Sequence, residues 1–153
     1  MKTNAVRILE SSKIDFRTFE YSFDEEGLDA ITVANKINAE PEQVFKTLVS
    51  KSDSGYFVFC IPGNYELNLK KAATASSVKK IEMLPLKELT NVTGYVRGGC
   101  SPIGMKKLFP TFIDETALLF DKIYVSAGIR GMQLFLKPTD LANIIDAKFA
   151  DLI

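Results

Sequence analysis

Apolar residues recur along this chain at two intervals, and the switches between them lay out the elements. Val6, Ile8 and Leu9 form one helical face that Thr3 can cap and that runs out near Ser11. At 16–21 the spacing changes to apolar-polar alternation with strand-forming residues, which predicts a strand. An acidic turn at 24–27 leads to Asp29, the start of a helix whose face is Ile31, Ala34 and Ile37 and whose end lies near Asn38. Pro41 suits the first turn of a short helix. From 45 to 51 the period is two again, with Phe45, Thr47 and Val49 on one side and Lys46, Leu48 and Ser50 on the other. Ser52-Asp53-Ser54-Gly55 then reads as a hairpin connection into the unbroken apolar run 56–61, the signature of a central strand.

Further along, Asn68 is placed to cap a helix over 69–75, 80–83 reads as a short edge strand and 85–89 as a helical turn. Strands are predicted at 111–114, 122–126 and 132–137. Pro138 then opens a C-terminal helix that carries Leu141, Ile144, Ile145 and Phe149. Strands outnumber the helices and do not alternate with them. The expected fold is therefore α+β, one domain over 1–153, with a mixed, curled, barrel-like sheet surrounded by short helices.

Two stretches interrupt this pattern. Residues 94–104, Gly-Tyr-Val-Arg-Gly-Gly-Cys-Ser-Pro-Ile-Gly, hold four of the nine glycines with Pro102 among them, which no regular helix or strand interior tolerates. A similar loop follows at 126–131, Ser-Ala-Gly-Ile-Arg-Gly. Both can be surface turns, or shaped loops whose N–H groups hold an anion or a carbonyl oxygen.

Charge adds a local signal. The 19 basic and 19 acidic residues cancel, yet residues 69–107 carry eight Lys/Arg against two Asp/Glu, a net +6 beside the first glycine loop. That is either a solvated lysine face or a phosphate-binding surface. The chain has no histidine, which removes Ser-His-Asp and Cys-His catalysis and His-ligated metals. Cys60 and Cys100 have no metal-ligand spacing and are expected to be reduced thiols of a cytoplasmic protein, and no apolar run is long enough to cross a membrane. Lys46 stands alone in the apolar run 44–49. It either snorkels to solvent or is a cation at the mouth of a pocket. Adjacent Asp114 and Glu115 on a strand point to opposite faces, so capping or surface roles outweigh an acid–base pair.

Taken together, Val-Phe-Lys-Thr-Leu at 44–48, the loop 94–104, Tyr-Val-Ser-Ala-Gly-Ile-Arg-Gly at 124–131 and the C-terminal text at 145–152 resemble the YbaK-type Cys-tRNA(Pro) deacylases. These are editing domains related to the insertion domain of bacterial prolyl-tRNA synthetase. The resemblance runs from Asn4 to Leu152. It implies an enzyme that clears cysteine mischarged on proline tRNA, with no cofactor or metal, no membrane or DNA partner, and prolyl-tRNA synthetase as a possible associate. In the cysteine-specific members the substrate's own thiol attacks its carbonyl, leaving a thiolactone and free tRNA. An enzyme without histidine or an activated cysteine suits a substrate that carries its own nucleophile, and then contributes positioning and oxyanion stabilisation.

By this resemblance the catalytic positions are Lys46, Gly99, Ser101, Pro102 and Gly104. The substrate contacts are Tyr21, Leu28, Thr47, Gly98, Ser126, Gly128 and Gln133, and Lys70, Lys71, Lys106 and Lys107 face the tRNA. Three departures stand out: Gln133 replaces an aspartate, Cys100 replaces an aliphatic residue, and the segment before Ile31 is one residue shorter, leaving Leu28 as candidate for an aromatic position. Two other readings stay open, a deacylase for alanine or serine and a non-catalytic module that binds tRNA or the synthetase.

Overall fold

The computed structural model describes residues 2–153. Helix α1 (Asn4–Ser11) starts where its cap predicts, with Thr3 Oγ1 accepting from the Val6 N–H at 3.2 Å, a cap worth about 1 kcal/mol. Its buried face is Ala5, Val6 and Leu9. Strand β1 (Phe16–Glu20) follows, then α2 (Ala30–Lys36), capped by Asp29, whose carboxylate accepts from the Thr32 N–H at 2.9 Å and the Thr32 hydroxyl at 2.8 Å. Those contacts, the Thr32 N–H foremost, hold the Asp29 carboxyl below its usual range. A 3-10 turn at Pro41–Gln43 leads into the hairpin β2 (Phe45–Ser52) and β3 (Gly55–Pro62).

After β3 come α3 (Leu69–Ser76), capped by Asn68, the two-residue β4 (Glu82–Met83) and α4 (Leu89–Thr93). Beyond the glycine loop lie β5 (Thr111–Asp114), β6 (Ile123–Ser126), β7 (Met132–Leu136), α5 (Pro138–Ile144) and β8 (Lys148–Ala150).

The C-terminal helix is shorter than its apolar spacing predicts. It stops at Ile144, and Asp146 turns the chain at φ 52°, a left-handed value that ends a helix. Phe149 therefore lies on β8, a parallel neighbour of β5, with Phe149 opposite Ile113. The tail is pinned by Asp114, fully buried, whose Oδ1 accepts from the Leu152 N–H at 2.9 Å and whose Oδ2 accepts from Thr116. The capping role expected of this acidic residue is the one it has.

The strands form two sheets, and neither closes into a barrel. One is antiparallel, in order β1-β7-β6; the other is mixed, in order β4-β2-β3-β5-β8, with β3-β5-β8 parallel. The central place of β3 matches its unbroken apolar sequence. A parallel bridge, Val44 to Tyr124, joins the sheets. One face of the antiparallel sheet packs with α1 and α5 around Leu9, Phe45, Ile113, Leu134 and Leu141. Its other face carries Phe19, Tyr124 and Phe135 under α2, with Tyr124 stacked on Phe135 at 4.4 Å and Phe19 edge-on to Tyr124 at 5.4 Å. A separate cluster under α3 holds Phe59, Ile61 and Leu48. Each large side chain so buried contributes roughly 1.5–3 kcal/mol. The joint between the sheets is consequently packed on both sides.

Candidate functional site

The site is built at that joint. Beyond the Val44–Tyr124 bridge, β2 and β6 part company. Lys46 is two residues on from Val44 and Ser126 two on from Tyr124, so by strand alternation both project on the face that the bridge pair shares with α2. Gln133 lies opposite Ser126 on one side and Phe19 on the other. Tyr21 continues β1 past its end, its N–H donating to the Gly131 carbonyl at 2.9 Å. Four of the predicted residues, from four separate parts of the chain, are thus brought to one end of one face.

Lys46 is half-buried, and its Nζ donates to the carbonyl oxygen of Gly63 at 3.4 Å. Burial lowers its pKa from the usual lysine value, while the carboxylates of Glu66 and Asp29 work in the opposite direction. The ammonium is therefore held between the start of α2 and the loop before α3, with donors to spare for an incoming oxygen. Gln133 is buried to 6% exposure, and its Oε1 has no hydrogen-bond partner among the described residues. A buried acceptor left unmade costs on the order of 1–3 kcal/mol, an expense for the fold that a bound donor would remove.

The two glycine loops touch. A Cβ on Gly99 would sit 3.0 Å from the Arg130 nitrogen and the Ile129 carbonyl carbon, so only glycine lets these backbones meet. Arg130 Nε donates to the Arg97 carbonyl at 2.8 Å, a second tie between the loops. Gly98, at φ 81°, has the Leu28 side chain against it, which places Leu28 at the same mouth.

Other predicted positions lie away from the mouth. Ser101 is fully buried, and its Oγ accepts from the Ile103 N–H at 3.2 Å. Pro102 is buried beside it, and Gly104 lies against Asn4, Ile8 and the Tyr95 hydroxyl. Gly128 lies against the Tyr95 ring. These residues give the loops their shape, and the Tyr95 hydroxyl, donating to the Ile103 carbonyl, spans the first loop. Ser126 Oγ accepts from the Gly128 N–H at 3.2 Å.

The lysines fall in two separate places. Lys70 and Lys71 open α3, where Lys71 pairs with Asp151 at 3.0 Å. Lys106 lies over Gly94 and donates to the Asn91 carbonyl at 3.2 Å, and Lys107 lines a groove with Ile8 and Ile144. A larger polar groove of about 660 Å³, lined by Lys51, Lys79 and Lys80, lies by the β2–β3 turn, at the opposite end of β2 from Lys46.

Three participants escaped the sequence reading: Gly63, Glu66 and Arg97. Gly63 and Glu66 look like ordinary turn residues after a strand. The one available signal was Pro62-Gly63 at the end of a central strand, where a glycine without a hairpin partner marks close backbone approach.

An aminoacyl-tRNA editing domain model matches residues 24–144. A protein of Enterococcus faecalis named as a Cys-tRNA(Pro)/Cys-tRNA(Cys) deacylase, EbsC, is 48% identical over 152 residues, covering 99% of this chain and 93% of that protein. The fold matches a structure described as a trans-editing enzyme for prolyl-tRNA synthetase, with TM-score 0.82, 23% identity and coverage of 99% and 98% of the two chains. It also matches a hypothetical protein, APE2540, with TM-score 0.86, 20% identity and coverage of 95% and 96%. On that family match and that relative, the chain belongs to the aminoacyl-tRNA editing domain family.

Proposed function

We propose that this chain deacylates proline tRNA mischarged with cysteine, acting in the cytoplasm as one domain over its whole length. The observation that carries the reading is the shared face of Lys46, Ser126 and Gln133 at the joint of the two sheets, where Ser126 leads into the loop that meets Gly99. Lys46 supplies positive charge to the oxygens of the terminal ribose. The loop N–H groups stabilise charge on the ester carbonyl, and Gln133 Oε1 accepts from the substrate's amino group.

The nucleophile is the substrate's. Both protein thiols are held protonated at neutral pH by burial, Cys60 pushed up to about 12 and Cys100 to about 11. In the proposed step the substrate sulfur forms a bond to its own carbonyl carbon, the bond to the ribose oxygen breaks, and the thiol proton ends on that oxygen. The products are cysteine thiolactone and uncharged tRNA. Lys70, Lys71, Lys106 and Lys107 are proposed to meet phosphates, and association with prolyl-tRNA synthetase would supply part of the tRNA specificity. Purified protein incubated with proline tRNA charged with cysteine, alanine or serine tests this. Release from the cysteine form alone, with thiolactone recovered, is the expected result; release of alanine or serine, or of nothing, overturns the assignment.

A further inference from the structure

The outward edge of β2 is bridged at one end and paired at the other, and it is bare between them. Gly63 N–H donates to the Val44 carbonyl, so the even-numbered residues of β2 direct their backbone groups toward β3. Leu84 N–H donates to the Val49 carbonyl, so the odd-numbered ones face the other way, toward β4. At one end of that edge lies the Val44–Tyr124 bridge to β6, and at the other the pairing with β4 at Ser50 and Lys51. Thr47 falls in the gap. Its N–H and C=O face outward side by side, and among the described residues nothing hydrogen-bonds to them.

In front of this bare edge is a cleft of about 210 Å³, between β2 and the loop residues Arg97, Gly98 and Cys100. Its far wall is Met83, Leu84, Leu86 and Leu89. Leu86 is 59% exposed and Met83 41%, apolar surface left in water beside an unpaired donor and acceptor. Arg97, exposed, supplies a flat cationic group at the rim. Gly98 lines this cleft and also lies against Leu28, the chain neighbour of Asp29, whose carboxylate acts on the Lys46 ammonium. From Lys46 to Val49 is three residues, roughly 10 Å along the strand.

We propose that this cleft seats the terminal adenine of the charged tRNA, with Thr47 reading its edge. The proposal rests on the deacylase reading, because an aminoacyl ester hangs on a 3′-terminal adenosine and its base must lie within several ångströms of the reacting carbonyl. Adenine presents an amino donor next to a ring nitrogen acceptor, which complements one C=O and one N–H side by side. Guanine presents the reverse order on the same edge. The apolar walls take the two faces of the ring, and base stacking on such surfaces is worth about 1–3 kcal/mol.

The experiment titrates wild-type protein with adenosine and guanosine 5′-monophosphates while following the Thr47 amide and Met83 methyl resonances. It then compares deacylation of Cys-tRNA(Pro) by wild type, Leu86→Asp and the control Leu119→Asp, which alters an 81% exposed leucine on the turn at Glu115–Leu119. The adenine nucleotide should move both resonances and bind at least tenfold tighter than the guanine one. Leu86→Asp should lower kcat/KM at least tenfold, through KM, and Leu119→Asp should match wild type. Unmoved Thr47 and Met83 signals, equal binding of the two nucleotides, or a wild-type KM in Leu86→Asp each overturn the cleft assignment while a wild-type protein that deacylates leaves the deacylase reading standing. Failure of the wild type to deacylate sinks that reading instead, and the nucleotide titration, which needs no turnover, still decides the cleft.

Discussion

Lys46 donates to the carbonyl oxygen of Gly63 across 3.4 Å, and Gly63 is itself wedged in place. A Cβ there would lie 2.5 Å from the Ala30 Cβ and 2.9 Å from the Val44 carbonyl oxygen. The N–H of Gly63 donates to that same oxygen at 2.8 Å. Gly63→Ala must therefore push α2 off β2 and move the acceptor that orients the lysine. We expect a loss of about 1–3 kcal/mol in chemical denaturation, as for overpacking, together with a drop in kcat/KM of at least tenfold. Lys46→Ala should lose as much activity while unfolding near the wild-type midpoint.

The same lysine sets a pH limit. Its folded-state pKa lies below 10.5, the unfolded value, because burial disfavours the ammonium. The unfolded chain thus binds the proton more tightly, and charged Lys46 subtracts from stability, a cost that shrinks as the pH rises through the folded value and is gone above 10.5. Activity runs the other way, since only the ammonium is useful. After subtraction of spontaneous ester hydrolysis, the rate should fall with rising pH at a midpoint below 10.5, and Lys46→Arg should abolish that limb. An alkaline limb unchanged in Lys46→Arg would assign the titration to another group.

Gly99→Ala tests whether the meeting of the loops matters. The added methyl faces backbone atoms of Ile129 and Arg130 at 3.0–3.1 Å, which cannot swing aside as a side chain can. Opening the contact should also disturb the Arg130–Arg97 hydrogen bond. We expect kcat to fall at least tenfold with a small change in melting temperature. Wild-type turnover would mean that the loops act independently.

Much of this arrangement could be read from residue order, and the reasons for the rest are local. The caps at Thr3, Asp29 and Asn68 were visible because capping is a short-range hydrogen bond between neighbours. The hairpin of β2 and β3 was visible through its period and turn. The fate of Phe149 was not, because 145–149 carries enough apolar residues to extend a helix, and only the positive φ at Asp146 and the free edge of β5 convert it into a strand. The bridge that joins the two sheets was equally hidden, since one pair of residues, Val44 and Tyr124, leaves no periodic trace. For the site, Lys46 showed itself as a charge in an apolar run. Gly63, Glu66 and Arg97 matter through contacts with residues far away in sequence, and composition says nothing about those.

Removing both thiols separates the two possible nucleophiles. Cys60 is fully buried beside Thr47, whose hydroxyl lies 3.9 Å from its sulfur. Cys60→Ala therefore leaves a small cavity worth about 1–2 kcal/mol. The double change to alanine at 60 and 100 should melt at lower temperature yet still deacylate below its transition. A folded but inactive double variant would return the attack to a protein sulfur.

Gln133 offers a test in which stability and activity move in opposite directions. Its Oε1 is buried without a partner, so the folded protein bears a desolvation penalty that an apolar side chain of similar size would not incur. Gln133→Met keeps the volume and removes the orphaned acceptor, and should raise the melting temperature. If that acceptor exists to receive the substrate's amino group, the same change should lower kcat/KM at least tenfold, with the amino-blocked substrate N-acetylcysteinyl-tRNA showing no further loss in the variant. A residue with a purely structural role gives a different pattern. It would lose stability on substitution, or gain it at unchanged activity, and it would leave wild type and variant equally sensitive to blocking the amine. Thermal melts of the two proteins and their rates on blocked and free substrate therefore distinguish a recognition group from a packing defect.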